Sequence, residues 1–282
     1  MDKKINYTHS TVPTQFVEAN GIKFAYRSYG NESQVPVIYL NHLAAVLDNC
    51  DPRVMDGIAA QRQIISFDYR GVGATTGVAP LTIQSMATDT ITFIKKLGFK
   101  KVDLLGFSLG GMVSQEIVLQ EPLLVNKIIL AGTGPRGGVE MDKVTRITYY
   151  DILRGYLTFR DPKFYLFFTQ TTNGKNAARQ FLNRLKERKL NRDTEITIST
   201  MNKQLKAIHT WSLEEPADLS QITQPVFVVN GDDDRMVPTS NSYDMAKRFP
   251  NAELVIYPDA GHGGIFQNHQ EFVQQALVFL SK

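Results

Sequence analysis

The sequence predicts an α/β fold with a mostly parallel, eight-stranded sheet flanked by helices and a helical segment inserted after the sixth strand. First, short apolar runs alternate with segments of helical periodicity, as is typical of parallel strands joined by right-handed crossovers. Second, a serine between glycines stands where the fifth strand turns into a helix. Third, strand-like runs disappear between Gly134 and Trp211, where aromatic and basic residues become frequent.

Length and composition fit one large domain, or one domain with an insertion. The 282 residues are 43% hydrophobic and 21% charged, so a substantial core is expected, and the net charge of +3 does not argue for nucleic-acid binding. The single cysteine, Cys50, excludes an intramolecular disulfide and favours a reducing compartment, so we expect a cytoplasmic protein. We expect no membrane span and no secretory signal, because no long apolar run is present.

The predicted sheet opens with an antiparallel hairpin. Asn20-Gly21 favours a two-residue turn in which both residues have positive φ, and alternating runs flank it. Most of the later runs are continuously apolar, as expected for strands buried on both faces. The predicted strands are residues 16–19, 22–26, 36–40, 64–67, 102–105, 127–131, 225–230 and 252–257.

Helix boundaries carry their own signals. Asp51 is a candidate N-cap with Pro52 at the first helical position, Gly98 is a candidate C-cap, and Pro122 stops a helix. One predicted core helix begins after Asp51, and the others span residues 83–97, 109–121, 240–248 and 272–280.

Residues 106–110 form a G-x-S-x-G pattern centred on Ser108. A serine on a sharp strand-to-helix turn brings the backbone close two positions before and after it, and only residues with little side chain fit there. The N-terminus of the next helix would offer N–H groups to a developing oxyanion. An ordinary glycine-rich turn is the alternative, but the strand before and the helix after the pattern favour a nucleophile.

Two further polar residues follow predicted strands, Asp234 and His262. The carboxyl ends of parallel strands meet at one edge of a sheet, where ligands bind, so these residues are expected near Ser108. Asp232 is the alternative aspartate in the same run of three. Among the histidines, His42 is a second candidate for the site; the remaining ones, His9, His209 and His269, are expected in a terminal segment, the insertion and a helix start.

With these motifs together, the chain resembles the α/β-hydrolase superfamily over nearly its whole length, and most of all the esterase, enol-lactonase and cofactor-free haloperoxidase branch. The resemblance rests on residues 106–111, the 231–238 segment with Asp234, and Ala260-Gly261-His262. Residues 68–73 also look like the family's D-x-R-G-x-G loop.

The resemblance implies a Ser-His-Asp triad that cleaves a carboxylic ester or lactone through an acyl-enzyme, with no cofactor and no metal. Ser108 would be the nucleophile, His262 the base and Asp234 its partner, while the N–H groups of Leu43 and Leu109 would form the oxyanion hole. His42 stands where the family often has glycine, so it is expected to contact substrate or a water.

Other activities remain open. Cofactor-free perhydrolysis or carbon–carbon bond hydrolysis would use the same triad, and a receptor that only binds a small ligand is the third alternative. Ser108 argues against haloalkane dehalogenases and epoxide hydrolases, which resemble this chain but need an aspartate at that position.

Residues 135–211 are predicted to form a helical cap on a core of residues 1–134 and 212–282. Residues 136–211 hold 15 lysines and arginines against 7 acidic residues, a net charge of +8. The aromatic residues of this segment either form the cap's own core or line an apolar pocket for substrate. The candidates for the pocket are Tyr149, Tyr156, Phe164, Phe168 and Trp211. The sequence leaves the substrate and the oligomeric state open.

Overall fold

The computed structural model describes residues 7–282. Eight strands form one sheet in the order β1-β2-β4-β3-β5-β6-β7-β8. Strand β2 is antiparallel to both of its neighbours, and all the other pairs are parallel. The strands are β1 (Gln15–Ala19), β2 (Ile22–Tyr29), β3 (Val37–Leu40), β4 (Ile64–Phe67), β5 (Val102–Phe107), β6 (Val125–Ala131), β7 (Val226–Gly231) and β8 (Ala252–Tyr257). The predicted mostly parallel, eight-stranded sheet is confirmed.

Helices cover both faces of the sheet, and a further group of helices lies between β6 and β7. The helices are α1 (Pro52–Ala59), α2 (Ile83–Lys96), α3 (Leu109–Gln120), α4 (Val144–Thr158), α5 (Lys163–Leu166), α6 (Thr172–Arg184), α7 (Ile198–Leu213), α8 (Ser240–Arg248), α9 (Gly264–Gln267) and α10 (His269–Ser281). Helices α4 to α7 form the segment predicted after the sixth strand. The cap boundaries at 135 and 211 stay a prediction; α7 itself continues to Leu213.

Local signals in the sequence explain several boundaries. Asn20 and Gly21 have φ angles of 47° and 72°, as the predicted hairpin turn requires. The side chain of Asp51 accepts a hydrogen bond from the N–H of Arg53 at 3.0 Å, which caps α1. Gly98 has a φ of 87°, just after α2 ends. By contrast, α10 begins at His269, before the predicted start at 272. The prediction missed the first turn because its residues are polar and show no apolar periodicity.

Strand β5 is buried at every position and lies in the middle of the sheet, between β3 and β6. Two apolar layers enclose the sheet, and helix α3 has nearly all of its residues buried. The end of β5 is therefore held by packing on all sides, so that the turn after it has a fixed position.

Two ion pairs tie the helices between β6 and β7 to the rest of the molecule. Arg184 of α6 donates from Nε and Nη2 to the Asp51 carboxylate at 2.9 and 2.6 Å, and both side chains are buried. Arg235, in the loop after β7, contacts the buried Asp151 of α4 at 2.5 Å. Asp51 thus caps α1 and anchors α6 at the same time. Removing one partner of a buried pair typically costs about 3–5 kcal/mol.

Candidate active site

Ser108 lies directly between β5 and α3, with φ 56° and ψ −117°. Positive φ is unusual for a residue with a side chain and costs on the order of 1–3 kcal/mol. The surrounding hydrogen bonds hold it: the Ser108 N–H donates to the Ala131 carbonyl at 2.9 Å, and the Thr133 hydroxyl donates to the Ser108 carbonyl at 2.8 Å. The serine is therefore fixed at the carboxyl edge of the sheet.

The glycines on either side of Ser108 are required by close backbone contacts. A Cβ atom at Gly110 would lie 2.0 Å from the Leu40 carbonyl oxygen, and one at Gly106 would lie 2.4 Å from the Gly110 carbonyl oxygen. Neither backbone atom can move aside as a flexible side chain could. The steric reading of the G-x-S-x-G pattern is confirmed.

The three residues predicted as a triad form one chain of hydrogen bonds. His262 Nε2 lies 2.9 Å from Ser108 Oγ, and His262 Nδ1 lies 2.8 Å from Asp234 Oδ2. The other carboxylate oxygen, Asp234 Oδ1, accepts from the N–H groups of Met236 and Val237 at 2.8 and 3.0 Å. Because a carboxylate accepts, Nδ1 carries the imidazole proton, and the Nε2 lone pair faces the serine hydroxyl.

Asp232, the alternative aspartate, has a different place. It is exposed and accepts a hydrogen bond from the Ala260 N–H at 3.1 Å, whereas Asp234 is buried. The structure therefore brings Asp234, and not Asp232, to His262.

The two predicted oxyanion donors lie in the loop after β3 and in the first turn of α3. Among residues 7–282, the N–H of Leu43 has no hydrogen-bond acceptor, although its two neighbours do: the His42 N–H donates to Asn41 Oδ1 at 3.0 Å and the Ala44 N–H to Gln204 Oε1 at 2.8 Å. The N–H of Leu109, at the start of α3, is likewise without an acceptor in this part of the chain. Both groups are available to a ligand oxygen, and their role as an oxyanion hole stays a prediction.

His42 is buried beside this site. Its Nδ1 donates to the Leu43 carbonyl at 2.7 Å, since a carbonyl can only accept, and its Nε2 is a buried acceptor with no partner among residues 7–282. Its ring contacts Phe107 and Phe167 edge to face, with ring centroids 5.6 and 5.0 Å apart. The pKa of His42 is lowered to about 3, mainly by burial and secondly by the nearby positive charge of Lys163. The side chain is therefore neutral at neutral pH.

This buried neutral histidine predicts a pH dependence of stability. The unfolded chain binds a proton at His42 below about pH 6.5, but the folded chain does so only near pH 3. The contribution of His42 to the free energy of unfolding is therefore fully present above pH 6.5 and is lost as the pH falls toward 3. Because the buried Asp68, whose pKa is raised by burial, acts in the opposite sense, the measurement is a difference between proteins. In urea unfolding, the wild type should lose about 1.4 kcal/mol per pH unit more than His42→Gln between about pH 6 and pH 4. Equal slopes would contradict the assignment.

The predicted substrate-binding aromatic residues are scattered over the segment between β6 and β7. Phe168 is buried next to Phe167, with ring centroids 6.5 Å apart, and Phe164 is buried against Tyr165. Trp211 is buried in the larger apolar layer. Tyr149 and Tyr156 are exposed on α4. Their binding roles stay predictions.

Two aromatic residues outside the predicted site, Phe107 and Phe167, have their rings next to the His262 ring. The rings of Phe107 and Phe167 are 5.1 and 5.6 Å from the His262 ring, centroid to centroid. The Phe167 carbonyl also accepts from the Gly263 N–H at 2.7 Å, which connects the segment between β6 and β7 to the His262 loop. Phe107 was visible as the variable residue before the serine. No signal distinguished Phe167 from its aromatic neighbours.

Residues 35–269 match the family described as alpha/beta hydrolase fold. The chain belongs to this family. This chain is 37% identical to the alpha/beta hydrolase fold protein from Chitinophaga pinensis, with a TM-score of 0.91 over 97% of this chain and 99% of the other.

Two more distant similarities are to a curated protein and to a solved structure with the same fold. This chain is 24% identical to the putative non-heme bromoperoxidase BpoC of Mycobacterium tuberculosis over 240 residues, 79% of this chain and 85% of that protein. The enol-lactonase from Burkholderia xenovorans LB400 shares the fold, with a TM-score of 0.76 and 16% identity over 95% of this chain and 100% of the other. Within residues 7–282, no helix is long and apolar enough to cross a bilayer.

Proposed function

We propose that the protein is a serine hydrolase that cleaves a carboxylic ester or lactone through an acyl-enzyme. One observation carries the proposal: a continuous hydrogen-bond chain from Ser108 Oγ through the His262 ring to Asp234. Nucleophile and base are within hydrogen-bond distance, and a third group orients the base, as covalent acyl transfer requires.

In this mechanism, Ser108 Oγ attacks the substrate carbonyl carbon while its proton passes to His262 Nε2. The tetrahedral oxyanion accepts hydrogen bonds from the N–H groups of Leu43 and Leu109, each worth roughly 2.7–4 kcal/mol in the transition state. Collapse expels the alcohol oxygen, which takes the proton from His262. Water then attacks the acyl-enzyme with His262 as base, and the acid leaves.

The walls of the site favour an apolar group beside the reacting carbonyl. Phe107 and Phe167 border the His262 ring, and Phe168 continues this aromatic surface. Phe164 and Trp211 would act from the cap, and Tyr149 and Tyr156 from its exposed side. His42 Nε2, a buried acceptor with no partner among residues 7–282, would bind a hydroxyl or an N–H of the substrate, or a water.

Active-site labelling tests this proposal. A fluorophosphonate probe should modify Ser108 alone, as peptide mass spectrometry would show, and p-nitrophenyl esters should give a burst of nitrophenol equal to the enzyme concentration. Inactivation of the probe-treated enzyme is expected in parallel. A probe that labels another residue, or labels none while esters are still hydrolysed, would overturn the assignment of the nucleophile.

Perhydrolysis is the second candidate, favoured by the similarity to a putative non-heme bromoperoxidase. Here hydrogen peroxide would replace water as the second nucleophile and release a peracid from the same acyl-enzyme. Peracid formed from a short carboxylic acid and peroxide, measured against ester hydrolysis by the same preparation, separates the two activities.

We further propose a reducing, cytoplasmic setting, because the only cysteine, Cys50, is a buried thiol.

A further inference from the structure

Helix α4 carries a continuous apolar stripe on its exposed side. At about 100° per residue, the positions 149, 150, 153, 156 and 157 fall within about a third of the helix circumference. We call these five residues, together with Phe159 just after the helix, the α4 stripe. Its members are 46–97% exposed: Tyr149, Tyr150, Leu153, Tyr156, Leu157 and Phe159. The opposite side of α4 is buried through Thr148, Asp151 and Gly155.

The stripe is unusually large for a surface that meets only water. The exposed fractions of its six side chains amount to about four whole side chains, on the order of 800 Å² at roughly 200 Å² each. The largest apolar patch on a monomeric protein is typically about 300–600 Å². A patch of this size indicates a binding surface.

Phe159 supports the same conclusion independently. It ends α4 in the left-handed conformation, with φ 53° and ψ 41°, where glycine is the usual residue. The residue is 97% exposed, so no packing of its side chain offsets the conformational strain of roughly 1 kcal/mol. A bulky apolar ring held outward in this way has no use within the folded chain itself.

The charges beside the stripe distinguish between two candidate partners, a second copy of this chain and an anionic lipid surface. Arg146 is at the first turn of α4 and Arg160 follows Phe159; both are exposed, and neither makes an ion pair within residues 7–282. Antiparallel twofold packing of two copies about Leu153 would place Arg146 opposite Arg160 of the other copy. Parallel twofold packing would place Arg146 opposite Arg146. A second copy would thus bring like charges together at the ends of the contact.

An anionic lipid surface is complementary to both features. Tyr and Phe side chains are suited to the boundary between headgroups and acyl chains, and arginine is attracted to lipid phosphates. The net charge of +8 over residues 136–211 adds long-range attraction of the same sign. We propose that the α4 stripe docks the protein on anionic lipid bilayers, with its apolar side chains in the interfacial layer and Arg146 and Arg160 on lipid phosphates. The binding does not depend on Ser108 chemistry.

Sedimentation with lipid vesicles tests the proposal. Wild-type protein should bind vesicles made of equal parts phosphatidylcholine and phosphatidylglycerol, and bind pure phosphatidylcholine much more weakly. Leu157→Asp should weaken binding at least about tenfold, because it removes apolar contact and adds a repelled charge. Tyr156→Asp, a second exposed variant, should act in the same direction.

Two matched variants complete the design. Leu123→Asp makes the same change at a leucine that is 88% exposed just before β6, at the opposite edge of the sheet, and should bind as the wild type does. Replacing both Arg146 and Arg160 by Gln should cost about fivefold per arginine on anionic vesicles and almost nothing on phosphatidylcholine.

Three outcomes would overturn the proposal: no binding of the wild type to anionic vesicles, equal loss in Leu123→Asp and Leu157→Asp, or a dimer in analytical ultracentrifugation that Leu157→Asp dissociates while vesicles are not bound. The last outcome would assign the stripe to a second copy. Since the Ser108→Ala protein should bind vesicles normally, failure here is distinguishable from failure of the proposed catalysis.

Discussion

Replacing Ser108 by alanine is expected to lower kcat for ester hydrolysis by about 10⁴–10⁶-fold, while the unfolding temperature changes by only a few degrees. The loss is this large because the acyl-enzyme can no longer form, and only the oxyanion donors and binding contacts continue to act on an attacking water. The stability change is small because, within residues 7–282, Ser108 Oγ makes one side-chain hydrogen bond, to His262 Nε2, worth about 1 kcal/mol. Steady-state kinetics with a p-nitrophenyl ester and a thermal melt measure both effects.

Ser114→Ala is the matched control for this experiment. Ser114 is buried in α3, the helix that follows Ser108, and donates to the Gly110 carbonyl at 2.7 Å, so the variant removes a serine hydroxyl from a comparable buried environment. It should retain kcat within severalfold. Full activity in Ser108→Ala, or an equal loss in Ser114→Ala, would show that Ser108 is not the nucleophile.

The sheet and the turn around Ser108 were predictable because local rules govern them. Continuous apolar runs gave β3, β4 and β7, and Asn20-Gly21 gave the hairpin through the φ angles that only such residues adopt easily. The glycines next to Ser108 follow from backbone contacts that any residue with a Cβ would violate. The parallel topology then places the loops after β5, β7 and β8 at one edge without further information.

The aromatic surroundings of the site could not be read in the same way. Phe164, Phe167 and Phe168 follow one another in and just after α5, which is a single turn, so periodicity cannot tell which ring points to His262. Phe167 contacts it because its carbonyl is fixed by the Gly263 N–H, a tertiary contact. Similarly, the aromatic residues of α4 do not show in the sequence which face of a helix the rest of the chain covers, so Tyr149 and Tyr156 were candidates for the site on residue type alone.

Replacing Asp234 by asparagine is expected to lower kcat by about 10⁴-fold although the residue keeps its shape. Asp234 Oδ1 accepts two backbone hydrogen bonds, from Met236 and Val237, so the asparagine oxygen must occupy that position. Its NH₂ group then faces His262 Nδ1 and donates to it. The imidazole proton moves to Nε2, which becomes a donor toward Ser108 and can no longer accept the serine proton.

Asp232, which is exposed, supplies a matched control variant that separates the loss of a negative charge from the change in the His262 tautomer. Asp232→Asn removes the same charge two residues away, and its oxygen can still accept from the Ala260 N–H, so kcat should stay within severalfold of wild type. If the two variants lost activity equally, the charge of the loop would be the cause. If only Asp234→Asn lost activity, with unchanged unfolding, the cause would be the orientation and protonation of His262, because no other contact to the imidazole differs between the two proteins.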